Sequence, residues 1–254
     1  MNLKTRQQNN SIKQLINAFY ERLLKQFGPQ GWWPLLGVEG NNPTKNGAMQ
    51  GYHPNDYSYP KNKNQQFQIL VGSILTQNTS WVQVEKALIE LQNNHILNPE
   101  NLCKNTELTK RCIKVCGYFN QKTSYLESMC KFIVTLESSK NLWQPPARHE
   151  LLKVKGIGPE TADTMLCYAF SQTYFVVDTY TIRIFKALNW IGDTVNYQTL
   201  QNLIESAIPK DLICYQEFHA LLVELAKRIK SADAEEHKLL SEFKLTGINQ
   251  ATQM

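Results

Sequence analysis

The run LLKVKGIGPETADTMLCYAFSQTYFVVDTYTIRIF, residues 151–185, constrains this chain more than any other stretch. Leu151, Leu152 and Val154 supply an apolar face that stops at Gly156-Ile157-Gly158. Pro159 then stands where a helix accepts its first residue, and residues 161–170 continue in helical spacing. The pattern predicts helix, glycine hairpin, helix. Two glycines around one apolar residue let the backbone turn sharply and approach a ligand closely, leaving the first amides of the second helix unpaired. Such amides suit a phosphate oxygen. Further on, Val176-Val177-Asp178-Thr179 delivers a carboxylate just ahead of another periodic segment containing Ile182, Ile184 and Phe185. Asp178 reads either as the N-cap of that helix or as a functional carboxylate.

No β-alternation persists over a strand length elsewhere, so the fold is expected to be all-α. A first amphipathic helix is predicted from a capping box at Ser11 and Gln14 to about Phe27. Residues 65–75 form a largely apolar helix, and Asn78 or Thr79 caps the next one, through Trp81, Val84, Leu88 and Leu91. Asn98-Pro99 opens another helix, Gly117 stops the one after it, and residues 197–208 and 215–229 are amphipathic. Residues 37–63 carry no periodicity and read as a long inserted loop, and the polar tail from residue 231 is expected to fray.

Composition bounds the function only loosely. With 42% hydrophobic and 19% charged residues the chain can bury a full core, and a net charge of +5 is compatible with a polyanionic partner. No apolar run approaches the roughly twenty residues of a membrane helix, and the first residues lack the apolar core of a signal peptide, so a cytoplasmic protein without membrane contact is expected. Its six cysteines are too sparse for a disulfide scaffold and are read as reduced thiols.

The hairpin and the following aspartate, together with Leu75-Thr76-Gln77-Asn78-Thr79 and Gly117-Tyr118-Phe119-Asn120-Gln121-Lys122, resemble the signature of the helix-hairpin-helix DNA glycosylases, the endonuclease III superfamily. The likeness runs with interruptions over residues 32–227. It implies two helical domains, residues 1–62 with 172–254 and residues 63–171, with a groove between them for double-stranded DNA holding a damaged base. One chain suffices, so a monomer is expected. The resemblance implies that Gly156, Ile157, Gly158, Glu160 and Thr161 grip the DNA backbone with Lys153 and Lys155, and that Asp178 is catalytic. It makes Gln77 the side chain that fills the gap of an extruded nucleotide, and Tyr118 the residue that wedges between base pairs; the alternative is that Tyr118 merely covers a helix junction.

Trp32, Trp33 and Pro34 resemble the aromatic segment of the endonuclease III-like 3-methyladenine glycosylases, where Trp81 and Lys227 would also line the base pocket. On residues alone, the tryptophans read as core, and Lys227 as a helix-end lysine. Bifunctional relatives carry a Schiff-base lysine where Glu160 stands here, so the resemblance implies a monofunctional glycosylase that leaves an abasic site. Many relatives hold an iron-sulfur cluster on a four-cysteine motif. Only Cys214 lies beyond Cys167, so no cluster and no metal site are expected. A monovalent cation on the hairpin carbonyls is left open. The expected substrate is an alkylated purine such as 3-methyladenine. The alternatives are a mismatch-type thymine or uracil glycosylase and a non-catalytic helix-hairpin-helix module.

Overall fold

The computed structural model describes residues 3–41, 50–139, 141–230 and 234–245. In chain order it forms α1 (Leu3–Phe27), α2 (Lys63–Leu75), α3 (Trp81–Asn93), α4 (Pro99–Lys104), α5 (Thr106–Cys112), a 3₁₀ turn (Lys114–Cys116) and α6 (Phe119–Ile133). A two-residue ladder, β1 (Ser138–Ser139) antiparallel to β2 (Leu142–Trp143), precedes α7 (Arg148–Leu151) and α8 (Pro159–Thr164). Alpha helix gives way to a π-helical turn at Met165–Ala169, followed by α9 (Thr179–Ala187), α10 (Tyr197–Glu205), α11 (Leu212–Lys230) and α12 (Ala234–Phe243). The fold is all-α apart from the β1–β2 ladder. Among the described residues no helix is long and apolar enough to cross a membrane.

The chain divides into two compact units, one of Met1–Gln30 with Phe175–Met254 and one of Gly31–Tyr174. In the second unit α2 is the axis, every residue from Gln66 to Leu75 being buried. The buried Gln66 amide donates to the carbonyls of Trp143 (3.2 Å) and Ala169 (3.1 Å) and accepts from the Trp143 amide (2.8 Å), so it fastens α2 to both β2 and the π-helical turn. Segments 31–41 and 50–62, expected to side with the chain termini, make their contacts in this unit. The Leu36 amide donates to Gln68 Oε1 on α2 at 2.9 Å, and Leu35 donates to the Gly51 carbonyl at 3.1 Å.

In the other unit α1 lies on α11, with Tyr20 edge-on to Phe218 and Phe19 edge-on to Trp190 and Phe243. Two predicted boundaries are corrected here. The helix expected from Ser11 begins at Leu3, and the tail expected to fray forms α12 over residues 234–243, because Leu239 is buried and Phe243 packs on Phe19. Residues 231–233 and 246–254 of that tail lie outside the described residues. A third correction concerns α3, whose N-cap is Ser80 rather than Asn78 or Thr79.

The hairpin is braced by an ion pair across its two helices. Arg148 Nε and Nη2 donate to Asp163 Oδ1 (2.6 Å) and Oδ2 (2.9 Å), and Asp163 has no exposed surface. Taking away one partner of a buried bidentate pair leaves a charge that water cannot reach. Arg148→Ala is therefore expected to lower unfolding free energy by about 3–5 kcal/mol in urea titrations. Arg148→Lys, which keeps the charge and loses the fork, should fall between wild type and Ala.

Candidate active site and DNA interface

The hairpin turns on two glycines that do different jobs. Gly156 has φ +87°, and a Cβ there would meet the Tyr125 ring at 2.1 Å, so only glycine fits. Ile157 is buried as the anchor between them. Gly158 is the N-cap of α8 and has nothing within 4 Å of a built Cβ, so internal packing does not require glycine there. Gly158, Pro159 and Glu160 are exposed, as are Lys153 and Lys155, and Lys155 Nζ reaches Ser124 Oγ at 3.0 Å. Thr161 is buried, and its hydroxyl accepts from Gln77 Nε2 at 3.0 Å.

Gln77 also donates to the Gly156 carbonyl at 3.0 Å, so this side chain joins the loop after α2 to the hairpin. Beside it, Asn78 is exposed with φ +53°. Tyr118 is 71% exposed and has φ +46°, directly after Gly117 at φ +65°. A bulky aromatic in the left-handed region is strained, and such strain persists only where the surroundings hold it. The structure thus presents Tyr118 outward.

The aromatic segment forms a cluster rather than a row. Trp33 stands edge-on to Trp81 (5.3 Å between centroids) and to Tyr168 (5.4 Å), and Trp32 lies 6.1 Å from Trp33 and 6.4 Å from Tyr168. Trp33 and Pro34 are buried, Trp33 against the backbone of α2 at Gly72, whereas Trp32 and Trp81 keep part of their surface. The indole N–H groups of Trp33 and Trp81 are buried and have no hydrogen-bond acceptor among the described residues. Tyr168 was not singled out in the sequence, since an aromatic in an apolar helical run carries no sign of its neighbours.

Asp178 is held from both sides. Its Oδ1 accepts from the Thr181 amide (2.7 Å) and hydroxyl (2.9 Å), which makes it the N-cap of α9, and His219 Nε2 on α11 lies 3.6 Å from Oδ2. Burial works to raise its pKa, but the His219 hydrogen bond and charge and the Thr181 donors more than offset it, so the carboxyl titrates below its ordinary value. Its two readings are compatible: one oxygen caps the helix and the other faces His219. The half-buried Lys227 lies in the same charge cluster. Burial lowers its pKa, against the pull of the Glu224 and Asp178 charges.

The sequence profile of the HhH-GPD superfamily of base excision DNA repair proteins matches residues 71–210, just over half of the chain. A Methanocaldococcus jannaschii protein named as a DNA repair glycosylase is 33% identical over 222 residues, covering 85% of this chain and 88% of its own. The chain belongs to this family. Endonuclease III of Thermotoga maritima is 27% identical over 174 residues, 67% of this chain and 78% of that enzyme. The H. pylori 3-methyladenine DNA glycosylase, solved bound to 1,N6-ethenoadenine, superimposes with a TM-score of 0.65 at 27% identity, over 86% of this chain and 98% of that one.

Membership raises the question of the iron-sulfur cluster found in some endonuclease III relatives. The donor set here does not fit one: Cys214 is the lone cysteine after Cys167, and among the described residues no three His, Cys, Asp or Glu side chains converge on a point. His219 is the polar neighbour of Asp178 that sequence reasoning passed over. The signal for it was the spacing to Lys227, eight residues along one helix, which puts both on the same face.

Two expectations follow from this geometry. Gly156→Ala should destabilise the protein, whereas Gly158→Ala should leave the melting temperature within about 2 °C of wild type while weakening duplex binding in salt-titrated anisotropy. A folded-state pKa that is depressed stabilises the fold above the unfolded value and loses that contribution as pH falls through the folded one. The stability gap between wild type and Asp178→Asn, which keeps the capping oxygen, should hold at neutral pH. It should close as pH drops below the ordinary carboxylate value of 3.8. Asp178→Ala should cost about 1 kcal/mol more than Asn, from the lost cap. Urea titrations between neutral and acid pH check both.

Proposed function

We propose that this protein is a monofunctional DNA glycosylase that hydrolyses the N-glycosidic bond of an alkylated purine such as 3-methyladenine in double-stranded DNA, leaving an abasic site. The observation that carries the reading is the buried Asp178 carboxylate, held ionised by Thr181 and His219. Departure of the base leaves positive charge on the deoxyribose, and a fixed carboxylate stabilises that charge without reorganising at the moment of reaction. The same group orients the water that attacks the sugar. An alkylated purine that already carries positive charge leaves readily, so little acid catalysis is needed.

Recognition falls to Trp32 and Trp81, the two tryptophans of the cluster that keep exposed surface, on which an electron-poor base would stack. Trp33 and Pro34 back them, and Lys227 adds a charge near Asp178. Gly156, Ile157, Gly158, Glu160 and Thr161 supply the backbone grip, with Lys153 and Lys155 beside them. Gln77 and Tyr118 enter the duplex where the nucleotide has left. Glu160 has no amine with which to form a Schiff base, so strand cleavage is not part of the activity. The similarity to the H. pylori enzyme supports the purine reading.

A thymine or uracil glycosylase on the same scaffold is the second reading. The deciding assay incubates labelled duplexes carrying 3-methyladenine, uracil, or thymine opposite guanine, and analyses each with and without alkali. Breakage of the 3-methyladenine duplex only after alkali is expected. Asp178→Asn should slow it by about 10²–10³ or more while binding persists. Processing of the pyrimidine duplexes alone would transfer the assignment to the second reading. Binding of every duplex with no base release would leave a DNA-binding module.

A further inference from the structure

Lys122, in the first turn of α6, is 2% exposed. Its ammonium donates to the Leu75 carbonyl at 2.8 Å, the Thr79 hydroxyl at 2.6 Å and the Cys116 carbonyl at 3.0 Å. An ammonium has three donors, so this set is complete. None of the three acceptors is a carboxylate. The charge is balanced by dipoles, above all by Leu75, the last residue of α2, where the negative end of the helix dipole lies. Burying a charge on those terms is expensive, and burial pulls the lysine pKa below its usual value.

What the three acceptors share is their place. Leu75 and Thr79 flank Gln77 and Asn78, and Cys116 comes just before Gly117 and Tyr118. The Thr79 hydroxyl also donates to the Cys116 carbonyl at 2.7 Å, and the Lys122 amide donates to the Tyr118 carbonyl at 2.9 Å. Each loop carries a left-handed exposed residue, Asn78 in one and Tyr118 in the other, while their bases meet on one nitrogen. An apolar side chain could fill the same space but could not join the two loops. We propose that Lys122 is a positioning residue that locks residues 76–80 and 116–118 into one rigid wedge, so that the Gln77–Asn78 tip and Tyr118 enter the duplex as a unit. A wedge ordered before binding loses less entropy on insertion. The proposal rests on the reading that these two loops enter DNA.

The test uses the full chain with Lys122→Met and, as a second variant, Thr79→Val, which removes the shared hydroxyl and leaves the charge. Single-turnover base release from a 1,N6-ethenoadenine site is measured in duplex and in single-stranded DNA, because a wedge matters only where a partner strand must be parted. Each variant is expected to lose about tenfold or more on duplex and less than about threefold on single strands, a misplacement effect. Tyr118→Ala should show the same selectivity, and adding it to Lys122→Met should cost nothing further. Equal losses on both substrates, no loss on duplex, or fully additive defects would overturn the proposal. If Lys122→Met does not fold by circular dichroism, Thr79→Val is judged by the same ratios. Should wild type release no base at all, the functional reading fails. The wedge then stands or falls on anisotropy: the variants must lose the wild-type preference for a tetrahydrofuran abasic duplex over an intact one.

Discussion

A carboxylate withdrawn from water yet kept ionised is the constraint from which the unit built on both chain ends follows. Asp178 can stay charged only if donors are fixed around it. Two come from its own helix through Thr181 and one from His219 on α11. Delivery of the aspartate is equally fixed: the Phe175 amide donates to Glu205 at 2.9 Å and its carbonyl accepts from Gln201 at 2.8 Å, so α10 holds the extended lead-in. Val176 and Val177 are buried beside it. α11 in turn is held by α1, where the Tyr20 and Phe218 rings meet. A helix from the start of the chain therefore supports a charge more than 150 residues later in sequence.

The other unit is organised by close approach. Gly156 yields to the Tyr125 ring, and Gly72 lets Trp33 lie on the backbone of α2. In both places a missing Cβ admits an aromatic face, and the aromatic then fixes a loop. Hydrogen bonds continue the connection from loop to loop. Gln77 reaches the hairpin at Gly156 and Thr161, and Thr79 reaches the Cys116 carbonyl. Three loops distant in sequence form one hydrogen-bonded surface.

How much of this could be read beforehand depends on the range of the interaction. Local chemistry was legible: Asn98 caps α4 with Pro99 in its first turn, Asp178 caps α9, and Gly156 adopts the positive φ that a sharp turn requires. Each is decided by residues within four positions. The helix boundaries that failed did so because a capping signal at Ser11 occurs inside α1, and because a polar tail still carries Leu239 and Phe243 at the spacing that packs α12. Tyr168 and the partners of Lys122 were out of reach for a different reason. Two of the three acceptors of Lys122, Thr79 and Leu75, are 43 and 47 positions away, and no periodicity records which helix ends a buried ammonium will find. The lysine itself ends the Gly117–Lys122 segment, but its role is a property of the packed state.

The clustering of indoles has an optical consequence. Three of the five tryptophans cluster, Trp32 and Trp81 each standing edge-on to Trp33, while Trp143 and Trp190 sit buried in separate places. On the proposed reading, a flat base stacked on Trp32 changes emission from the trio more than emission from the buried pair. The chain carries its own dye, so occupancy of the cluster can be followed by intrinsic fluorescence without labelling the protein or the nucleic acid.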